Sequence, residues 1–75
     1  MNKNYQSEYL QVEDELKSFV FRLVTNQQDT EDIIQDTYLK VDKNIDSFKE
    51  ESSFKTWVFS IAINTAKKHL KEGQR

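Results

Sequence analysis

The 75-residue sequence contains no cysteine, no proline, one glycine and one histidine. The absence of cysteine excludes disulfides and thiolate metal sites, and one histidine is too few for a ligand cluster. Without proline, and with its one glycine at position 73, the chain lacks the residues that usually form hairpin turns. A chain this short buries only about 60% of its unfolded surface, which is enough for one core. We therefore expect a single all-α domain held together by packing.

Long apolar runs and a hydrophobic leader are also missing. The first nine residues, MNKNYQSEY, are polar and include one basic side chain. No segment approaches the roughly 20 apolar residues of a membrane span. We accordingly expect a cytoplasmic protein without membrane contact.

Motifs that carry catalysis are absent too, including a glycine-rich phosphate loop, G-x-S-x-G and H-E-x-x-H. The paired acids Glu31/Asp32 and Glu50/Glu51 fit helix first turns and solvated loops, which collect acidic residues for electrostatic reasons. His69 fits a surface position that compensates a helix dipole. We expect no enzyme activity, no metal and no cofactor.

The charges that are present are distributed unevenly. Residues 1–52 carry six basic and twelve acidic side chains, a net charge of −6, whereas residues 53–75 carry five basic and one acidic, a net charge of +4. The overall charge of −2 therefore conceals two surfaces of opposite sign.

Apolar spacing predicts three helices in a compact three-to-four-helix bundle, over about residues 8–25, 30–44 and 54–71. Ser7 and Asp29 are the predicted N-caps of the first two helices.

A polar loop is predicted over about residues 45–53, ending in a serine-type cap. Phe48 is the exception in this loop, since an aromatic ring there either fills the edge of the core or offers a face to a ligand.

The second helix places one apolar side chain on its polar side. Its core arc consists of Ile33, Ile34, Thr37, Tyr38 and Val41. Leu39 points the opposite way, among acidic residues. Single exposed leucines are common on protein surfaces, but a leucine with a charged rim is also typical of a partner contact.

The third helix carries a narrow polar stripe in which every charge is positive. It consists of Thr56, Ser60, Asn64, Lys67, Lys68 and Lys71, with Trp57 at its edge. The stripe fits a solvated face whose lysines offset the helix dipole. It equally fits contacts to phosphates and base edges, for which small polar groups and ammonium groups are suited.

Two segments resemble a known family. Residues 29–39 read DTEDIIQDTYL and residues 48–64 read FKEESSFKTWVFSIAIN. Both resemble signatures of the second conserved region of bacterial RNA polymerase sigma factors of the sigma-70 family, in the family's order. The nearest subgroup is the extracytoplasmic-function (ECF) sigma factors, and the whole chain has the size of this one domain, residues 1–75.

The resemblance implies two binding surfaces. The second helix would dock on the clamp helices of the polymerase β′ subunit, through the matching residues Asp32, Gln35, Asp36, Leu39 and Asp42. The loop and third helix would recognise and melt the minus-ten promoter element, where the loop captures a base flipped out of the non-template strand. The matching DNA-binding residues are Phe48, Lys49, Ser53, Lys55, Thr56, Ser60, Asn64, Lys67, Lys68 and Lys71. An anti-sigma factor is a further partner that the resemblance implies.

Three departures from the family pattern matter. Ser60 stands where many relatives have a basic residue, which removes one cationic DNA contact. Val58 follows Trp57, whereas primary sigma factors have two tryptophans here, so we expect weak melting. The fourth region, which would read the minus-thirty-five element, has no counterpart in the chain.

Two alternatives stay open at this stage. The first is a sigma-like regulatory module that binds polymerase without reading DNA. Its activity would not change on substitution of Asn64, Phe48, Lys67 and Lys68. The second is a generic helical module for duplex DNA, which predicts no dependence on Leu39 or Gln35.

Overall fold

A computed structural model describes residues 5–49 and 51–73 of the chain. It contains three α-helices, α1 (Tyr5–Val24), α2 (Gln27–Asn44) and α3 (Phe54–Gly73). A short 3₁₀ turn, Ile45–Ser47, follows α2 directly. No strand occurs among the described residues, and the predicted all-α fold is confirmed. None of the helices in this part of the chain is long and apolar enough to cross a membrane.

The contacts between α1 and α2 show that the two helices run in opposite directions. The ring of Tyr9, near the start of α1, lies 5.1 Å from that of Tyr38 in the second half of α2. One turn earlier on α1, the Tyr5 hydroxyl donates a hydrogen bond to the carboxylate of Asp42, one turn later on α2.

Helix α3 runs antiparallel to α2 and alongside α1. Lys40 of α2 donates to Thr65 of α3, and Phe19 of α1 lies with its ring 5.1 Å from that of Phe59. Every helix therefore contacts the other two, and α1 and α3 run in the same direction, opposite to α2.

The core is built from one apolar stripe on each helix, as the helical spacing predicts. Its fully buried members are Leu16 and Val20 from α1, Ile33 and Val41 from α2, and Val58 and Ala62 from α3. With no disulfide to add stability, packing of these side chains is the main favourable contribution to folding.

The start of α2 differs from the prediction. The helix begins at Gln27, and its N-cap is Asn26, whose side-chain oxygen accepts a hydrogen bond from the backbone N–H of Asp29 at 2.8 Å. Asp29 is therefore a first-turn residue, and its predicted capping role is wrong. The glutamines at 27 and 28 extend the helix because their side chains donate to Glu31 and Asp32, four residues on.

The start of α1 also differs. The helix already includes Tyr5, whose side chain is buried against the core, so Ser7 lies inside the helix rather than at its cap. At the other end, Thr25 has a φ of 50° and donates its backbone N–H to the carbonyl of Phe21, which ends α1 in the left-handed conformation.

Two leucines whose helical spacing places them with the core residues of α1 and α3 are exposed instead. Leu23 and Leu70 are 43% and 41% exposed. Both lie near helix ends. Because Phe19 packs beside Phe59 and α1 ends at Val24, the last turn of α3 extends past the end of α1.

Candidate functional site

The outer side of α2 is an exposed acidic face. Leu39 lies at the centre of this face and is 60% exposed, as predicted, and Gln35 and Asp32 are exposed one and two turns before it. An apolar side chain surrounded by carboxylates and an amide is typical of a protein contact.

Asp42 lies at one edge of this face and is exposed, although it accepts the hydrogen bond from the Tyr5 hydroxyl. Burial of the Tyr5 ring, together with this bond, raises the pKa of the phenol well above its usual range. Asp42 therefore ties α1 to α2 in addition to lying on the acidic face.

A groove of about 1080 Å³ runs between α1 and α2 beside the acidic face. Asp32 and Gln35 line it from α2, while Phe21 and Lys17 line it from α1. Phe21 is 43% exposed. The sequence alone does not indicate Phe21 as a surface residue, because its position becomes visible only when the crossing of α1 and α2 is known.

Asp36 is the least exposed of the predicted docking residues. Its side chain is partly buried at the seam between α2 and α3, 3.7 Å from the Lys40 ammonium and 4.0 Å from Nε2 of His69. Lys40 in turn donates to the hydroxyl of Thr65 at 3.1 Å. Lys40 is absent from the residues that the sequence selects, and its spacing of four from Asp36 is the signal that indicates the pair.

Phe48 lies at the edge of the core. It is partly buried, stacks on Trp57 with ring centroids 4.8 Å apart, and meets Phe54 edge-on at 5.9 Å. The ring therefore fills the core edge, as the first of the two alternatives for this residue predicts. Its stacked partner, Trp57, remains partly exposed.

The polar stripe of α3 is solvent-exposed along its whole length. Its members are Thr56, Ser60, Asn64, Lys67, Lys68 and Lys71. Ser60 donates its hydroxyl to the carbonyl of Trp57 at 2.7 Å. This bond uses the hydroxyl proton of Ser60, while Ser60 and Asn64 are both exposed to solvent.

Ser53 caps α3, since its hydroxyl oxygen accepts from the backbone N–H of Thr56 at 3.1 Å. Lys49 is exposed in the preceding loop. Glu50, one of the paired acids of the loop, lies outside the described residues. No group of three or more histidine, cysteine, aspartate or glutamate side chains suited to a metal ion occurs elsewhere in the described chain.

Lys55 stands apart from the stripe. Its ammonium lies 2.9 Å from the carboxylate of Glu15 on α1 and 5.8 Å from the centre of the Phe59 ring. Lys55 therefore joins α3 to α1. A DNA contact by Lys55 would have to compete with this ion pair.

Comparisons with known proteins show which family the chain is similar to. The Sigma-70 region 2 family model matches residues 9–75. The RNA polymerase sigma-H factor of Pseudomonas aeruginosa is 34% identical over 61 residues, covering 81% of this chain and 32% of that protein. The ECF RNA polymerase sigma-E factor of Haemophilus influenzae is 42% identical over 45 residues, covering 60% of this chain and 24% of that protein.

The ECF RNA polymerase sigma-E factor of Escherichia coli K12 is 43% identical over 42 residues, covering 56% of this chain and 22% of that protein. The chain thus spans at most about a third of the length of these curated relatives. No solved structure matches the chain significantly. The family match over most of the sequence, on an all-α bundle, leads to one conclusion: the chain belongs to the sigma-70 region 2 family, in its ECF branch.

Proposed function

We propose that the chain acts in transcription initiation by binding core RNA polymerase with the acidic face of α2 and promoter DNA with the loop and α3. The polymerase contact is the pair of β′ clamp helices, made through Leu39 and the surrounding Asp32, Gln35, Asp36 and Asp42. The domain has no catalytic role of its own, and it works in the cytoplasm, where an anti-sigma factor covering the acidic face would compete with polymerase.

The observation that carries this proposal is the separation of the two surfaces onto different helices. Leu39 is 60% exposed among acidic residues on α2, whereas every exposed charge of the α3 stripe is positive. Phosphates are attracted to the lysine stripe and repelled by the acidic face, so each surface suits only one of the two partners.

The DNA contact divides into positioning and reading. Lys67, Lys68 and Lys71 contact phosphates of the minus-ten element, and each contributes attraction without sequence information. Asn64 contacts a base edge, because its amide both donates and accepts. The loop around Phe48 and Lys49 holds a flipped base of the non-template strand, and Ser53, Thr56 and Ser60 line its approach to α3.

The first experiment measures binding of the purified domain to bacterial core polymerase by surface plasmon resonance. Leu39→Asp should abolish binding, because a fourth carboxylate replaces the apolar anchor. Leu70→Asp is the matched control, since this leucine is also exposed but lies at the end of α3. Circular dichroism establishes that both variants fold. Equal binding by the two variants would contradict docking through α2.

The second experiment measures DNA binding by the polymerase complex across a set of minus-ten sequences. Asn64→Ala should change the preference at one position by about 1–3 kcal/mol, whereas Lys68→Ala should weaken all sequences alike. If neither substitution changes DNA binding while Leu39→Asp still abolishes docking, the chain is a polymerase-binding module that does not read DNA.

A further inference from the structure

A four-residue cluster closes the seam between the acidic face and the lysine stripe. Asp36 and Lys40 come from α2, one turn apart, and Thr65 and His69 come from α3 with the same spacing. The Asp36 carboxylate lies 3.7 Å from the Lys40 ammonium and 4.0 Å from Nε2 of His69. Asp36 therefore lies at the contact of α2 with α3 and pairs with the Lys40 cation.

Thr65 holds that cation in place. Its side chain is 1% exposed, and its hydroxyl donates to the carbonyl of Ile61 at 2.8 Å. Because the proton is used in this bond, the oxygen's lone pairs are available to accept from Lys40 at 3.1 Å. The ammonium group is thus positioned by a buried acceptor rather than left on a freely rotating side chain.

The Lys40 ammonium retains capacity for a further ligand. An ammonium has three N–H donors. Thr65 accepts one and Asp36 faces a second, while residues 5–49 and 51–73 supply no acceptor for the third. The side chain is 39% exposed, so the third donor can reach an anion in solution.

The position of the cluster indicates which anion would bind Lys40. Thr65 directly follows Asn64 on α3, and Lys68 lies one turn further along the same helix. Lys40 therefore extends the lysine stripe across the seam onto α2. A phosphate of the strand that Asn64 contacts would lie within reach of both helices.

We propose that Lys40 is a phosphate-binding residue for promoter DNA, and that Asp36 neutralises it until core polymerase engages Asp36. The proposal rests on the proposed function. Docking transfers the carboxylate of Asp36 from Lys40 to polymerase, so the positive charge of the DNA surface increases when polymerase is bound. Polymerase docking and DNA binding then favour each other through one shared carboxylate.

The test measures how salt changes DNA affinity in the complex with core polymerase. The probe is a fluorescent fork-junction DNA with a single-stranded non-template overhang, because a phosphate contact does not depend on base sequence. Lys40→Gln is compared with Lys17→Gln, which removes the same charge from the α1–α2 groove. Core polymerase alone gives the baseline.

Lys40→Gln should weaken binding and reduce the slope of log K against log salt by about 0.7–0.9, the contribution of one phosphate contact. Between 50 and 200 mM salt the advantage of the wild type should accordingly shrink about threefold. Lys17→Gln should leave the slope unchanged. Equal slopes for Lys40→Gln and wild type would overturn the phosphate contact.

Asp36→Asn tests the neutralisation. Without polymerase, at 20 mM salt, it should tighten binding of the free domain to the probe, and adding Lys40→Gln should cancel that gain. Saturating polymerase should then raise the DNA affinity of Asp36→Asn by a smaller factor than that of the wild type. An equal factor for the two proteins, or no gain in the free domain, would overturn the role of Asp36. A wild-type domain that fails to bind polymerase, or to raise DNA binding above the baseline, would instead overturn the proposed function.

Discussion

Replacing Phe48 with alanine tests whether this loop ring is part of the folded core. The ring stacks on Trp57 at 4.8 Å with an interplanar angle of 29°, and it meets Phe54 at 5.9 Å. Each aromatic pair contributes about 0.5–1.5 kcal/mol beyond the area that it buries. The two aromatic pairs together contribute about 2 kcal/mol, and partial burial of the ring adds about 1 kcal/mol. Phe48→Ala should therefore lower the free energy of unfolding by about 3 kcal/mol.

Such a loss is large for this chain. Domains of this size are stable by about 4–11 kcal/mol, and 3 kcal/mol corresponds to a fall in Tm of about 12–24 °C. Urea denaturation measures it directly, with circular dichroism for the helices and tryptophan emission for Trp57, the one tryptophan of the chain. Phe48→Leu is the matched control, because it keeps apolar volume and loses only the ring pairs, about 2 kcal/mol.

The reasoning would be refuted if Phe48→Ala lost less than about 1 kcal/mol while the emission of Trp57 stayed unchanged. Phe48 would then have no packing role and would be free to act only as a platform for a base. If both losses match the expected values, Phe48→Leu remains folded enough for DNA-binding measurements, which then isolate base stacking from folding.

Three further substitutions test two helix ends and one buried hydroxyl. Asn26→Ala should lower the free energy of unfolding by about 1 kcal/mol, against a few tenths for Asp29→Ala, because Asn26 is the cap; similar losses in urea denaturation would contradict this. Thr25→Gly should raise stability by about 1 kcal/mol, since Thr25 has a φ of 50° and glycine adopts this conformation without strain; a lower urea midpoint would count against it. Tyr9→Phe should raise stability by about 1 kcal/mol, because the Tyr9 hydroxyl is buried without a hydrogen-bond partner. Burial also raises the pKa of Tyr9 from 10.0 to about 12. The stability that depends on the protonated phenol is therefore complete below pH 10 and is lost as the pH rises toward 12. Tyr9→Phe should therefore flatten the alkaline decline in thermal stability, and an unchanged decline would assign it to other groups.

Helical periodicity was sufficient to predict the parts of the fold that depend on one helix at a time. The buried arc of α2, including Ile33 and Val41, and the exposed position of Leu39 both follow from 100° per residue. The start of α2 could not be derived in this way, because Asn26 and Asp29 are both good caps and the choice depends on whether Gln27 and Gln28 are helical.

Features that depend on the contact of two helices could not be predicted from the sequence. Lys55 was assigned to the DNA surface, yet its ion pair with Glu15 arises only because α1 and α3 run side by side. Asp36 is likewise a proposed docking residue, but its proximity to His69 depends on how α3 crosses α2. Residue spacing indicates the face of a helix, whereas the partner of a residue at the border of that face is decided by the crossing.

The packing of α2 against both other helices has a consequence for genetics. The arc that fastens this helix to both neighbours consists of Thr30, Ile33, Ile34, Thr37 and Val41, all of them buried. A substitution there would shift the acidic face and the seam with α3 at the same time. In a mutant collection, alleles with two simultaneous defects should therefore cluster in this arc, and alleles with one separable defect should lie outside it. Suppressors of an arc allele would be sought on α1 and α3, in the side chains that it contacts.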